Sequence, residues 1–321
     1  MNATRYWTIL AVLLVSAAAS GSGTDYTWTG AEDSTTWKEP GNWLPLDDSG
    51  WPGQDPADTA TVPHIQGDAY YPLVPLDTIE LAALTLTYDQ YGGSQVNFEP
   101  STSSRSALIV TGRDGLVVGQ SCTITIAKAR SLQLSGGGQY VIDGVIDGGS
   151  TALLAEPHLV FGGSGTDDTT HVLAGTGSIR GSAALVLLPY SADNVVVLGY
   201  DNAIYGSVKV GVALVNHGVV DATIPGSQNG GHVLRLYCQP KVGDGDWKIT
   251  GNENFSSDDV LLVDTPVAGS GKVIVGQHGI LDVNVHFSVY GTMTMEPNAT
   301  IVVAPGVMFD VDRFQKTGCP D

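Results

Sequence analysis

An all-β fold of the solenoid kind is what this sequence predicts, on three observations. The chain carries many short runs rich in β-branched residues, alternating apolar with polar and punctuated by Gly, Asn and Asp. No window longer than about ten residues shows clean helical spacing. A phrase of the form strand, Gly turn, strand recurs, with Gly144, Gly177, Gly218, Gly271 and Gly291 before the second strand.

Taken in chain order, residues 1–20 read as a signal peptide. Arg5 supplies a single positive charge, an apolar core runs from Trp7 to Val15, and Ala17, Ala19 and Ser20 are the small residues of a cleavage site. The apolar stretch is shorter than the ~20 residues a membrane-spanning helix needs, so export is the expected fate.

Residues 21–77 form a block rich in Trp, Pro, Asp and Gly. It holds Trp28, Trp37, Trp43 and Trp51, whereas only Trp247 follows in the rest of the chain. An open solenoid exposes the strand edge and apolar core of its first coil, which invites end-to-end aggregation unless something folds over it. Trp28, Trp37 and Trp43 are therefore expected to form a structural cap. Display of these rings for sugar stacking is the alternative.

Residues 78–321 carry the strands. Early runs are 83–89, 107–112, 122–127, 140–149 and 158–163; later ones are 184–189, 194–199, 207–220, 232–238, 260–264, 272–276, 280–295 and 300–311. Three strands of four or five residues plus turns make a coil of roughly twenty-odd residues, and so about ten coils. The recurring glycines are irregularly spaced, so the repeat is not strict. Aliphatic side chains are expected to stack inward, and Gly to supply positive φ at the corners. A Greek-key sandwich is the rival fold, but its hairpin signals are scarce here.

With 33 acidic against 14 basic residues and a net charge of −19, the surface repels nucleic acid and attracts cations without selecting one. Charged residues make up 15% of the chain, below the ~25% usual for globular proteins. Cys122, Cys238 and Cys319 lack both the density of a disulfide scaffold and the spacing of a zinc site. One bridge or three thiols are equally compatible with the sequence.

Candidate chemistry is sparse. Asp143 and Asp147 flank glycine turns. Asp167–Asp168, Asp258–Asp259 and the pair Asp310 and Asp312 are acidic doublets of the kind glycosidases use as acid and base. The stretch GGSGTDDTT (162–170) matches one calcium-binding nonapeptide only in part. Asp244 and Asp246, lying close in sequence to Asp258 and Asp259, are the candidate ligands for calcium, the one cofactor considered. The seven histidines are isolated in sequence and are expected at turns or on the surface. No complete catalytic set is present.

The wording Trp28-Thr29-Gly30, Trp37, Asn42-Trp43, Pro52 and Asp58-Thr59-Ala60-Thr61-Val62 resembles the opening of secreted bacterial proteins similar to autotransporter passenger and autotransporter-associated β-strand-repeat proteins. About 40 residues carry this closely; "AGTGSIRG", "NHGVV" and "YGTMTM" share its texture. The resemblance implies export to the cell surface or medium and a single-stranded right-handed parallel β-helix with a Trp/Pro-rich N-terminal cap. It implies no activity. The expected role is structural, adhesive or matrix-binding, with extracellular polysaccharide or cell-surface components as partners, no nucleic acid, and no integral membrane segment once the signal is removed. The second reading is a polysaccharide lyase or hydrolase with a groove along one β-helix face.

Overall fold

A computed structural model of the chain describes residues 23–32, 35–45, 50–65, 71–101, 106–149, 156–164, 169–227, 230–251 and 257–317. The signal segment, Asp167–Asp168 and Cys319 lie outside them. The described chain is all-β, its only helical element being the single turn Pro40–Asn42, and nearly all strands join one large, mostly parallel sheet. That arrangement is consistent with a β-solenoid.

Three parallel ladders run through the molecule, and the chain visits them in rotation. The first begins at Ile79–Leu81 and continues through Ala107–Val110, Ser131–Leu134 and His158–Phe161 to Thr300–Val303. The second runs from Thr59–Val62 through Ala83–Leu86, Leu116–Val118 and Gly138–Ile142 onward. The third runs from Leu73–Val74 through Gln95–Phe98, Thr123–Ile126 and Val145–Gly149 onward. Each strand hydrogen-bonds to the equivalent strand of the coil before and the coil after, so the backbone polar groups are met between coils.

Alternation decides which side chains go inside. One inward column links residues paired coil to coil in the first ladder: Ile79, Leu108, Leu132, Leu159, Leu187, Val210, Leu236, Val263, Val283 and Val303. All but Val303 are fully buried. A single apolar cluster extends from Tyr26 and Trp28 to Met293. Burying a Leu or Val side chain is worth about 1.5–3 kcal/mol, so a column of this kind is the main attraction between successive coils.

Gly144, Gly177, Gly218, Gly271 and Gly291 all fall at the corner between the second and third ladders. None has positive φ, contrary to the expectation from sequence. Their role is space. A Cβ would stand 2.1 Å from Gly144 O at Gly177, 1.8 Å from Gly245 O at Gly271 and 2.0 Å from Gly271 O at Gly291. The corner backbones are stacked so closely that only hydrogen fits. Positive φ is taken by other bend residues: glycines such as Gly137, Gly162, Gly175 and Gly251, in line with the expectation from sequence, and Asp114, Ser121, Ala129, Cys238, His278 and Asn298.

At the N-terminal side, Asp25–Trp28 pairs in parallel with Thr59–Val62, and Trp43–Leu44 pairs antiparallel on its other edge, with Trp28 opposite Trp43. Trp28, Trp37 and Trp43 are buried. The Trp43 ring meets Trp28 edge-on at 4.8 Å and Trp37 at 5.0 Å. Its Nε1 donates to Trp37 O at 2.7 Å, while Trp37 Nε1 donates to Pro52 O at 2.9 Å. Both indole donors are thus satisfied inside, as buried Trp requires. No helix among the described residues is long and apolar enough to cross a membrane.

Candidate functional site

The corner between the second and third ladders is two residues long in its shortest coils, as from Ile142 to Val145, and longer in others, as from Leu198 to Ala203. Strand register carried through the corner places Asp143, Thr176, Asp201, His217, Asp244, Ser270 and Tyr290 at its tip in successive coils, Asp201 aligning with His217 through the third ladder. Asp143 Oδ1 accepts from Thr176 N at 2.9 Å and Thr176 Oγ1 at 3.2 Å. His217 Nδ1 lies 2.5 Å from Asp244 Oδ1, and this hydrogen bond holds the Asp244 carboxyl below the usual carboxylate range. The Tyr200 ring, 71% exposed, stacks on His217 at 5.1 Å.

An open groove of about 300 Å³ lies beside this tip column. Its floor is Thr123, Val145, Ser178 and Ala203, paired neighbours on the outer side of the third ladder. Ser121, Asp143, Thr176 and Asp201 form one wall, and Tyr205 borders it. Burial, with the Asp221 carboxylate next in effect, pushes the Tyr205 hydroxyl above its ordinary pKa, so the phenol stays neutral and can donate. The groove thus presents a floor of small side chains, several hydroxyls, two carboxylates and a phenol. It runs along the stacking direction across four coils.

The outer third ladder also carries an ionisable row. Thr125, Asp147, Arg180, Tyr205, Asp221 and Lys248 are paired in successive coils. Both carboxylates are committed to holding the chain. Asp147 accepts from Arg180 Nη2 at 3.2 Å, Ser182 N at 3.1 Å and Ser182 Oγ at 2.8 Å. Asp221 accepts from Thr223 N at 2.9 Å, Thr250 N at 3.0 Å and Thr250 Oγ1, and burial raises its pKa. The bond from Thr223 N is a local turn contact, while the others tie each carboxylate to the next coil.

The four aspartates expected to hold calcium do not converge. Asp244 faces His217; Asp246 Oδ2 sits 3.0 Å from Lys248 Nζ; Asp258 lies 3.9 Å from His278 Nδ1. Asp259 is buried and accepts from His232 N at 2.9 Å and Thr223 Oγ1 at 2.8 Å. Closeness in sequence is lost because the chain turns a corner between Asp244 and Asp246, and leaves for the first ladder before Asp259. Among the described residues no three His, Cys, Asp or Glu side chains gather as metal ligands. Asp310 and Asp312 are exposed on the last strand. Cys122 and Cys238 are unbridged.

The histidines depart from expectation. His171 and His232 are buried. His171 is paired with Gly138 on the neighbouring coil, stacks on Tyr140 at 6.0 Å, and lies 3.3 Å from both Tyr140 Oη and Asn194 Nδ2. His64, His217, His232 and His278 each face an aspartate of an adjacent coil. A His–Asp separation near one coil length was the available signal.

Lys241 is fully buried, with Nζ donating to Tyr237 O at 3.1 Å and to Gln239 O. Burial pushes its pKa down from 10.5 to about 7. Between those values the unfolded chain holds a proton that the folded chain lacks, so this group makes stability rise with pH across the window. Below about pH 7 that contribution is lost, because the charged ammonium must be buried. Denaturant midpoints of the wild type relative to Lys241→Met should therefore climb from pH 7 to 9.5, by up to about 1.4 kcal/mol per pH unit. Parallel pH profiles for the two proteins would show Lys241 to be charged at neutral pH.

Compared with family models, curated proteins and solved structures, this chain has no match.

Proposed function

We propose that this protein is an exported, right-handed parallel β-helix similar to autotransporter passengers, capped by Trp28, Trp37 and Trp43. Its role is to bind extracellular polysaccharide in a structural, adhesive or matrix setting. Parallel crossover connections are right-handed almost without exception, which supports the hand. The observation that carries the role is the open groove along the coils, bordered by hydroxyls and carboxylates, with the exposed Tyr200 ring next in the chain to its Asp201. A long shallow groove suits a polymer strand better than a small molecule, which pockets enclose more fully.

Affinity electrophoresis against a panel of neutral, acidic and amino polysaccharides tests this. Tyr200→Ala is expected to weaken binding to the retained polymer about three- to tenfold, the scale of one ring contact. Retention of no polymer would end the proposal.

A second reading is a polysaccharide lyase or hydrolase acting on that face, where Arg180, Tyr205 and Lys248 stand in one row. Release of reducing or unsaturated ends, abolished by Tyr205→Phe in a folded variant, would establish it over the first.

A further inference from the structure

Resting on the polymer-binding reading, we infer that the groove and its tip column take an extended β-1,4-linked glycan bearing free amines. Three features of the same corner fit this ligand together.

The first is direction. The floor of Thr123, Val145, Ser178 and Ala203 crosses four coils along the stacking axis. A bound chain therefore lies parallel to that axis and meets each coil in turn.

The second is period. Over the five coils from Asp143 to Asp244 carboxylates occupy every second tip: Asp143, then Thr176, Asp201, His217 and Asp244. Neighbouring strands stand about 4.8 Å apart, so the carboxylates recur about every 9.5 Å. In an extended β-1,4-linked chain each sugar is flipped relative to the last. Equivalent groups therefore point the same way at every second sugar, with nearly the same repeat. An amine at C2 of alternate sugars would meet Asp143, Asp201 and Asp244 in succession. The intervening sugars would face the Thr176 hydroxyl and the His217 ring.

The third is the platform. Tyr200, stacked on His217, presents a ring where the apolar face of a sugar can lie. Charge selects within the class. The carboxylates and the net charge of −19 oppose uronic-acid and sulfated chains and attract ammonium groups.

The test is isothermal titration of the full chain at pH 6 and moderate salt. The probes are a β-1,4-linked glucosamine hexamer, its fully N-acetylated counterpart and the glucose hexamer. The glucosamine hexamer is expected to bind at least tenfold more tightly than the other two. Asp143→Asn with Asp201→Asn should remove that preference, while Asp310→Asn with Asp312→Asn, exposed on the last strand, should leave it intact. Circular dichroism checks that both variants are folded. Equal binding of all three hexamers would overturn the amine assignment and leave polymer binding standing. Binding of none, together with a blank polysaccharide panel, would remove both. Binding of poly-lysine with the same loss in the double variant would show a general cation surface and overturn the glycan assignment.

Discussion

Replacing Trp43 with alanine is expected to destabilise the N-terminal part of the chain by about 3–5 kcal/mol, the range for large aromatic residues removed from a core. Trp43 is fully buried and touches the rings of Tyr26, Trp28 and Trp37, so its loss opens a cavity among aromatic walls. It also strips Trp37 O of its indole donor. In a molecule whose coils contact mainly their neighbours, the damage should stay local. Hydrogen exchange should rise sharply over residues 23–62 and little beyond about residue 110. Trp51→Ala, at a partly buried ring, should cost less. A Trp43→Ala protein within about 1 kcal/mol of wild type would mean that this aromatic cluster does not hold the first coil.

Gly271→Ala is expected to lower stability by about 3 kcal/mol or more, at the upper end for overpacking. The new methyl would stand 1.8 Å from Gly245 O and 2.6 Å from Gly245 C. Both atoms are backbone, so no side-chain rotation relieves the clash and two coils must separate. Gly306→Ala supplies the contrast. Gly306 has φ +78° with nothing within 4 Å of a Cβ, so alanine there meets only the left-handed backbone cost of about 1–2 kcal/mol. Urea denaturation of the two variants separates crowding from conformation. Equal losses would refute the account of the corner as a matter of space.

Much of the architecture was legible in sequence because alternation is a local property. Leu132 and Leu134, or Leu234 and Leu236, announce an inward face whatever lies next to them. The glycine corner was legible in part. Its members stand out from Gly144 to Gly291, but sequence suggests positive φ as their cause because it does not show how closely two coils approach. Gly245, which stands over Gly218, lies between Asp244 and Asp246, where the sequence points to an acidic loop and not to a member of this column. Asn202, buried at the same corner, belongs to the column without being glycine; its Nδ2 donates to Ile142 O at 3.1 Å and Gly177 O at 3.3 Å. The candidate site was barely legible. The groove draws its lining from residues between Ser121 and Tyr205, and no short motif spans that separation. The His217–Asp244 contact was missed for the same reason, while Asp244 with Asp246 looked like a pair and proved to face different neighbours.

The close stacking of the glycine corner has a bearing on how this surface can change. From Ile142 to Val145 or Asn216 to Val219 the chain has two residues in which to turn, whereas Phe98 to Ala107 or Ile249 to Asp259 spans far more. The narrow corner is itself longer in other coils: four residues separate Leu198 from Ala203, and the antiparallel pair Tyr88–Asp89 and Gly92–Gly93 is inserted between Leu86 and Gln95. In the two-residue coils substitution is the freedom left: a residue at the tip can be exchanged while its distance to the next stays locked to the strand spacing. The edge behaves as a comb of fixed pitch, whose teeth can be rewritten one at a time to suit a different ligand.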